Sequence, residues 1–565
     1  MTTQRILWAA TLLIALLQFW YSRFSMDSDG IAYLEVARTL EVNAYWSPLF
    51  SWLLVPIVRW VPLAWSAAAV HALQAVFAIS AVLLADKLWR QLAPETADNR
   101  GWMLTRWMAA WWMAFGLTGV HLTQPDTLAL CLYLAACVLL LQNRPVRLGL
   151  TLAAAYLTKA ALLPFAAVLL GVWSLRHRRQ ALLAGAVLVL GCAPWWIALR
   201  QHTGRWTIGD SGPLNHAWEV NGVTRWIHGQ GGPRSTRQVS AAPDAFVYPG
   251  TFDTVYPPWY EPSYWFTGLE RSPFSWANQL RALRENSLPV LWYWLATPGF
   301  MALLALGARV RDWPALGAEL RSRWPLAVPA LATTGMHAAV FFETRYLAAQ
   351  LFLLGTFPLH AAYRRTGPAA RWLFPTAAAA ALLYTLAPPL SDSARSLLLA
   401  GNTPNPFAVA AAELHAAGAT PGTPVAFIGL TLRPEWARQA GLRIVGDIPM
   451  TFERDPGPLR RLYCNTANLD GFWSAPPSTR QQIYRAFARA GARFVVTHDV
   501  PAHADTAAWT RLPVEVDLFT GPGPLWIRRL NLPEDLPATS VLDSAGPAPA
   551  AARGSAAPKN RPGPG

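Results

Sequence analysis

Two carboxylates, Asp27 and Asp29, follow the first apolar stretch of the chain, in a segment that reads MDSDGIAYLEVA and is typical of a helix start. Asp29 or Ser28 is placed to cap that helix, which would leave free N–H groups and the helix N-terminus beside a carboxylate. Such a site suits proton abstraction next to a phosphate. The alternative is that both aspartates only cap and solvate a loop, and their spacing leaves both interpretations open.

Lys159 lies in the segment YLTKA, inside a long apolar stretch. A lysine near hydrocarbon costs about 2.5–3.5 kcal/mol on insertion scales and generally marks a partner or a pathway. Its functional interpretation is a phosphate ligand. The alternative is a side chain that snorkels to the membrane surface without a specific partner.

A second charged group, Glu343-Thr344-Arg345-Tyr346, interrupts another apolar stretch. Arginine suits bidentate phosphate recognition, and Tyr346 adds a donor beside it. Glu343 and Arg345 could equally form a structural ion pair. A further acid, Asp126, follows Pro125 at the start of an apolar run, where capping of its helix is the simpler explanation.

These residues sit in a chain that is 53% hydrophobic and only 14% charged. Soluble proteins average roughly 25% charged residues, so a soluble protein of this length is excluded. Apolar runs of helix-spanning length recur up to residue 389 and predict about 11 membrane spans. The predicted spans are 6–22, 64–84, 103–120, 125–142, 147–157, 160–175, 181–199, 288–308, 325–342, 347–362 and 372–389.

The distribution of positive charge predicts the topology. Most of the net charge of +15 lies in the connections that are cytoplasmic if the N-terminus is cytoplasmic, as the positive-inside rule requires. The charge is therefore accounted for by membrane topology, and we expect no nucleic acid partner. The first span lacks a convincing cleavage site and is predicted to remain as a helix. A multi-pass protein of a bacterial inner membrane follows, with the C-terminal part extracytoplasmic.

Three domains are expected. Residues 1–390 form a mainly α transmembrane bundle with outer loops at 23–63 and 200–287, and short interfacial helices in the first loop. Residues 391–533 alternate strands at 424–429, 442–446 and 493–497 with a helix at 478–492, which predicts a small α/β domain. The Ala-, Pro- and Gly-rich tail 534–565 is predicted to be disordered.

The second outer loop is rich in aromatic residues. Aromatic rings can stack on sugars or rest at the headgroup level of a membrane, and sequence does not separate the two. Interface packing is the preferred interpretation, with cover of a site as the alternative hypothesis. The residues are Tyr248, Phe252, Tyr256, Trp259, Tyr260, Tyr264, Trp265 and Phe266.

The predicted topology places all the ionisable residues named above on one membrane face, and in this order their motifs resemble a family. DSDG with Tyr33, the segment YWSPLF at 45–50, ProAsp at 125–126, LeuThrLys at 157–159 and ArgTyr at 345–346 resemble the polytopic GT-C glycosyltransferases. The similarity is greatest to the bacterial branch related to protein O-mannosyltransferases and lipid A aminoarabinose transferases. It covers roughly residues 1–365.

The resemblance implies an inverting transferase that uses a sugar on a polyprenyl phosphate and a protein, lipid or glycan acceptor. It implies that the catalytic carboxylate of the first loop is Asp29 or, less readily, Asp27. Gly30 stands where many members have a glutamate, which removes one expected carboxylate. Lys159 and Arg345 would face the donor phosphate, with Tyr346 beside them. The supporting residues would be Asp126, Glu343 and Tyr33.

Cofactor use is left open by the same resemblance, since some members use a divalent metal and others do not; no metal ligand is assigned. The main alternative function is a transporter or flippase for a lipid-linked sugar, which would also need cations on the outer face. Such a protein would be expected to show internal repeats with broken helices near the midplane, and no convincing repeat is present. A membrane scaffold that presents the α/β domain would explain neither Lys159 nor the carboxylates.

Overall fold

The structure is a computed structural model that describes residues 2–222, 237–248, 252–266, 268–295, 313–400, 404–454, 462–498, 500–518 and 521–530. It is mostly helical, with a mixed sheet in the C-terminal region. The predicted tail, 534–565, lies outside the described residues. The helices that matter below are α1 (Thr2–Ser22), α2 (Ser28–Thr39), α3 (Pro48–Trp60), α4 (Ser66–Leu92), α5 (Arg100–Trp111), α6 (Asp126–Leu141), α7 (Pro145–Thr158) and α8 (Leu162–Thr203).

Among the described residues, three helical segments are long and apolar enough to cross a membrane by length and composition: Thr3–Ser22, Leu63–Leu92 and Leu162–Thr203. The last of these contains non-helical backbone at His177, with φ −134° and ψ 54°, and this kink divides α8 where the sequence predicts two spans. Other predicted spans coincide with helices that are shorter or less apolar, so the count of 11 stays a prediction. The predicted span 288–308 continues beyond the described residues.

In the later part of the chain, helices lie at the predicted spans 325–342, 347–362 and 372–389. A π-helical turn, Trp112–Thr118, extends α5. The remaining helices are α9 (Ser211–Asn215), α10 (Pro257–Tyr260), α11 (Pro262–Trp265), α12 (Trp276–Leu295), α13 (Trp313–Ser322), α14 (Trp324–Val340), α15 (Ala348–Arg365), α16 (Leu373–Ala400), α17 (Pro406–Ala416), α18 (Glu435–Gln439), α19 (Ala467–Ser474) and α20 (Pro477–Arg489).

Helices α2 and α3 are the short helices expected in the first outer loop. Pro48 begins α3, where a missing N–H costs nothing, and Trp60 ends it after 13 residues, too few to span a bilayer. Nine of the 12 residues of α2 are buried, because the helix is covered by the C-terminal domain and by the second outer loop. The first loop is therefore enclosed by protein.

The C-terminal sheet has the strand order β1-β2-β4-β3-β7-β9-β8. Strands β4, β3 and β7 are parallel, and β3 is buried almost throughout, as expected for a central strand covered on both faces. Edge strand β8 alternates exposed and buried residues. The strands are β1 (Arg237–Ala241), β2 (Asp244–Val247), β3 (Pro424–Gly429), β4 (Arg443–Pro449), β5 (Thr451–Arg454), β6 (Leu462–Asn465), β7 (Phe494–Thr497), β8 (Thr510–Asp517) and β9 (Pro522–Arg529).

Two strands of this sheet come from the second outer loop. Strand β2 pairs antiparallel with β4, where Phe246 lies opposite Asp447 and Val247 opposite Gly446. Gly446 permits this contact, since a Cβ there would come within 2.9 Å of the Phe246 carbonyl oxygen. The loop 200–287 and the region after residue 390 therefore share one sheet. The domain boundaries given from the sequence stay a prediction, but the sheet is not confined to residues 391–533.

Candidate active site

A cavity of about 890 Å³ lies where the first outer loop, the start of α6, the turn between α7 and α8, and the turn after α14 meet. Residues from seven separate parts of the chain line it, so no single motif defines the site. The sequence-predicted residues that it brings together are Asp29, Tyr33, Asp126, Lys159, Glu343, Arg345 and Tyr346.

Asp27 does not line this cavity; its side chain caps the N-terminus of α2. Its Oδ1 accepts hydrogen bonds from the backbone N–H of Gly30 at 2.8 Å and from Thr123 Oγ1 at 2.6 Å, and the Gln124 amide donates to its other oxygen. The expectation that Asp29 or Ser28 caps the helix was wrong. Asp27 has the extended backbone of a cap residue and stands three residues before the N–H it binds.

Gly30 explains why the first loop has one carboxylate fewer than the resemblance implies. A Cβ at this position would lie 2.4 Å from Thr123 Oγ1, the same hydroxyl that binds Asp27. A side chain here would push the 121–125 segment away from α2. The segment is thus held close to α2, and this places Asp126 beside the cavity.

Asp29 lies in the first turn of α2 and is half-buried in the cavity wall. Its Oδ1 accepts a hydrogen bond of 2.9 Å from Nε1 of Trp259, on the second outer loop. Burial raises the pKa of the Asp29 carboxyl to about 6, and the charge of Asp27 adds to the rise; Arg345 and the Trp259 bond oppose it. A carboxylate with this pKa can accept a proton near neutral pH.

Asp126 joins the two cations of the cavity. Lys159 Nζ donates to its Oδ1, and Arg345 Nε lies 3.7 Å from its Oδ2. Asp126 is 3% exposed, and it is the first residue of α6 after the cap position at Pro125, without a capping hydrogen bond of its own. The simpler explanation offered for this acid, a helix cap, is therefore wrong: Asp126 is the counterion of both cations.

Lys159 also contacts an aromatic face. Its Nζ lies 3.5 Å from the centre of the Tyr346 ring, a cation–π geometry. The lysine thus has two specific partners, Asp126 and Tyr346, rather than a free path to the surface. Its position after Thr158, where α7 ends, points it toward α6 and the 343–346 turn.

Arg345 makes its close ion pair with Asp126, while Glu343 lines the cavity and acts on Arg345 as a more distant charge. The buried Nε of Arg345 has no hydrogen-bond partner within the described part of the chain. This Nε atom is enclosed by protein beside Asp126 and is not open to the cavity. The two cations remain only partly buried, at 24% and 21% side-chain exposure for Lys159 and Arg345.

Apolar side chains form much of the remaining cavity lining. An apolar lining is suited to a hydrophobic chain, and the charged groups around Asp126 are suited to an anion, so the whole cavity fits an amphiphile with an anionic head. Trp206 and Ile208 are 68% and 50% exposed and reach the outer surface of the protein. The apolar lining residues are Pro164, Trp196, Trp206, Ile208, Met336, Val340 and Phe341.

Sequence reasoning missed His337, which lines the cavity with its ring 5.5 Å from that of Tyr346. The signal was an ionisable residue inside an apolar run, six residues before Glu343. It also gave no role to Trp259 beyond membership of an aromatic group. Within the described ranges no three His, Cys, Asp or Glu residues converge as metal ligands.

A comparison with solved structures finds a match over most of the chain. The chain is similar to ArnT from Cupriavidus metallidurans, in a crystal structure of the apo state. The match covers 93% of this chain and 98% of that chain, with 12% sequence identity and a TM-score of 0.49. No protein-family model and no curated protein matches the chain. At this identity the function has to be argued from the cavity itself.

Proposed function

We propose that this protein is an inverting glycosyltransferase of the membrane that transfers a sugar from a polyprenyl-phosphate donor to an acceptor hydroxyl on the extracytoplasmic side. The observation that carries the proposal is that one cavity is lined by Asp29, by two cations held by Asp126 and by many apolar side chains. A base, an anion site and an apolar surface for the lipid are the three features that this reaction needs.

Asp29 is the proposed base. The acceptor oxygen attacks the anomeric carbon, the bond from that carbon to the donor phosphate oxygen breaks, and the hydroxyl proton passes to the Asp29 carboxylate. Attack from the face opposite the leaving phosphate inverts the anomeric configuration. The pKa of about 6 supports this role, because the carboxylate is charged at neutral pH and still basic enough to share the proton.

Lys159 and Arg345 are the proposed ligands of the leaving phosphate. Negative charge grows on that group as the glycosidic bond breaks, and fixed cations in a partly dehydrated site stabilise it. Asp126 positions both cations and leaves donors available, since Lys159 carries three N–H groups and the Arg345 guanidinium carries five. Tyr346 supports Lys159 from the other side.

The topology belongs to the proposal. The N-terminus would be cytoplasmic, and the cavity and C-terminal sheet would face the extracytoplasmic side of a bacterial inner membrane. The three long apolar helices support membrane insertion, and the exposed Trp206 and Ile208 near the cavity fit a mouth at the interface.

The test uses the purified full chain in lipid nanodiscs, supplied with polyprenyl-phosphate-linked hexose or pentose and a panel of lipid, glycan and peptide acceptors. Mass spectrometry would follow free polyprenyl phosphate and the glycosylated acceptor together. Formation of free polyprenyl phosphate and glycosylated acceptor in equal amounts supports the transferase. In proteoliposomes, movement of intact donor across the bilayer without a new glycosidic bond would instead establish a transporter.

A further inference from the structure

The second outer loop is fastened to the C-terminal sheet on both sides of residues 249–251, which lie outside the described residues. After β2, the backbone N–H of Tyr248 donates to the Val445 carbonyl at 2.8 Å. Further along, the Ile444 N–H donates to the Val255 carbonyl at 2.9 Å. Both partners belong to β4, so this strand sets the positions at which the loop leaves the sheet and returns to it.

Asp447, the β4 residue opposite Phe246, adds a side-chain anchor. It is fully buried and accepts hydrogen bonds from the hydroxyls of Tyr248 at 2.6 Å, Tyr256 at 3.1 Å and Thr431 at 3.0 Å. A buried carboxylate is expensive unless several donors bind it, and three hydroxyls here meet that requirement. Asp447 does not line the cavity, so direct contact with a substrate there does not explain it.

Trp259 follows Tyr256 by three residues, in the short helix α10. Pro257 and Pro258 fix the backbone φ between the two aromatic residues, so the position of Tyr256 is transmitted to Trp259. The first outer loop holds the same turn from the opposite side: Trp46 Nε1 donates to the Trp259 carbonyl at 3.1 Å, and Asn43 Nδ2 to the Tyr260 carbonyl at 2.7 Å. The indole N–H then meets Asp29.

We propose that Asp447 is a positioning residue: by holding Tyr248 and Tyr256, it keeps the Trp259 indole N–H on the Asp29 carboxylate, so a buried residue of the C-terminal sheet contributes to transfer without lining the cavity. The inference rests on the proposed function, because it assigns a role in proton abstraction. It gives the C-terminal domain a task that its sequence did not reveal.

The hydrogen bond from Trp259 stabilises the charged form of Asp29, which is the form that accepts a proton. Its loss therefore moves the acid limb of the pH–rate profile to higher pH, and the rates converge again where Asp29 is fully ionised. A purely structural contribution would lower the rate at every pH alike. The charged and titratable groups around Asp29 are Asp27, Tyr33, Tyr45, Asp126, Lys159, His337, Glu343, Arg345 and Tyr346.

The experiment measures kcat/KM for donor consumption between pH 5 and 9 for the full chain and three variants: Trp259→Phe, Tyr256→Phe and Asp447→Asn. Trp259→Phe keeps an aromatic ring and removes the donor, and we expect its acid limb to rise by about one pH unit. Asp447→Asn and Tyr256→Phe should shift the limb in the same direction by less. Asp470→Asn, an exposed acid on α19 of the same domain, is the matched control and should leave the profile unchanged.

The double variant Trp259→Phe/Asp447→Asn decides whether the two residues act through one bond. The acid limb of its pH–rate profile should coincide with that of Trp259→Phe, because Asp447 has no Trp259–Asp29 hydrogen bond left to position. Additive shifts, or unshifted limbs with a uniform loss of rate, would overturn the inference while the transferase stands. If Asp447→Asn does not fold, Tyr256→Phe decides in its place. No transfer by the unmodified protein at any pH would overturn the proposed function, and this inference with it.

Discussion

Lys159 and Asp126 form an ion pair across the cavity wall, although 33 residues separate them in the chain. The lysine follows the last residue of α7 and the aspartate begins α6, so the pair fastens two helix ends at one level. Asp126 reaches Arg345 as well. One acid that holds two cations sets both the stability of this region and the positions of the proposed phosphate ligands.

Asp126→Asn should lower the free energy of unfolding. It leaves Lys159 and Arg345 close together without their shared counterion, and we expect a loss of about 2 kcal/mol after allowing for their partial exposure. Thermal unfolding of the detergent-solubilised protein measures this. The double variant Asp126→Asn/Lys159→Met should recover part of the loss because one unpaired cation is gone. An unchanged melting temperature for Asp126→Asn would show that the pair contributes nothing.

Lys159→Ala should weaken donor use. Removal of one of two phosphate ligands predicts a rise of about tenfold in KM for the donor, with the acceptor KM unchanged. Steady-state kinetics over a donor titration measure it. Lys87→Ala, an exposed lysine near the end of α4, is the control and should behave as the unmodified protein. Identical donor curves for both variants would exclude the phosphate role of Lys159.

Glu261 should make the protein less stable as pH rises. Burial, with the charge of Asp210, raises its carboxyl pKa to about 8, well above the value in an unfolded chain. The folded state therefore binds more protons between about pH 4.5 and 8, and stability falls with rising pH across that window. Glu261→Gln should flatten the dependence of the melting temperature between pH 6 and 8.

The control for Glu261 is Glu515→Gln, an exposed residue of β8 that should leave the slope unaltered. If Glu261→Gln keeps the slope of the unmodified protein, the destabilisation at higher pH has another source.

The sequence predicted the residues of the cavity better than the way they are connected. The sequence could place Asp29, Lys159 and Arg345 in one site because charged residues in apolar runs are rare and the predicted topology puts all three on one membrane face. The hydrogen bond between Trp259 and Asp29 could not be predicted, since it spans 230 residues and depends on a sheet edge. The cap at Asp27 could not be predicted either, because Ser28 and Asp29 are residue types that cap helices equally well.

The fold shows the same contrast. Strands β3 and β7 are continuous apolar runs and were predicted within about one residue. Strand β2 is four residues long, and its pairing with β4 is set by contacts nearly 200 residues away. Short edge strands carry little periodic signal, so their membership of a sheet becomes visible only in three dimensions.

The predicted topology can be tested by cysteine labelling from one side of the membrane. A cysteine in place of Lys87 should react with an impermeant maleimide only after the membrane is opened, whereas one in place of Asp470 should react in intact spheroplasts. Labelling of both positions from the same side would contradict the proposed orientation of the cavity. A background without Cys464 keeps the signal specific, because the other cysteines, Cys131, Cys137 and Cys192, are buried.

The role of Asp29 as the base is tested by comparing Asp29→Asn with the unmodified protein in a single-turnover transfer assay at pH 7.5, with donor binding and thermal unfolding followed on the same samples. The substitution keeps the size of the side chain and removes its basicity. We predict a loss of transfer of at least about 1,000-fold with donor affinity retained. The melting temperature should be equal or higher, because the folded protein no longer holds a carboxylate whose pKa is raised. Transfer at a rate near that of the unmodified protein would show that Asp29 is not the base of the proposed reaction.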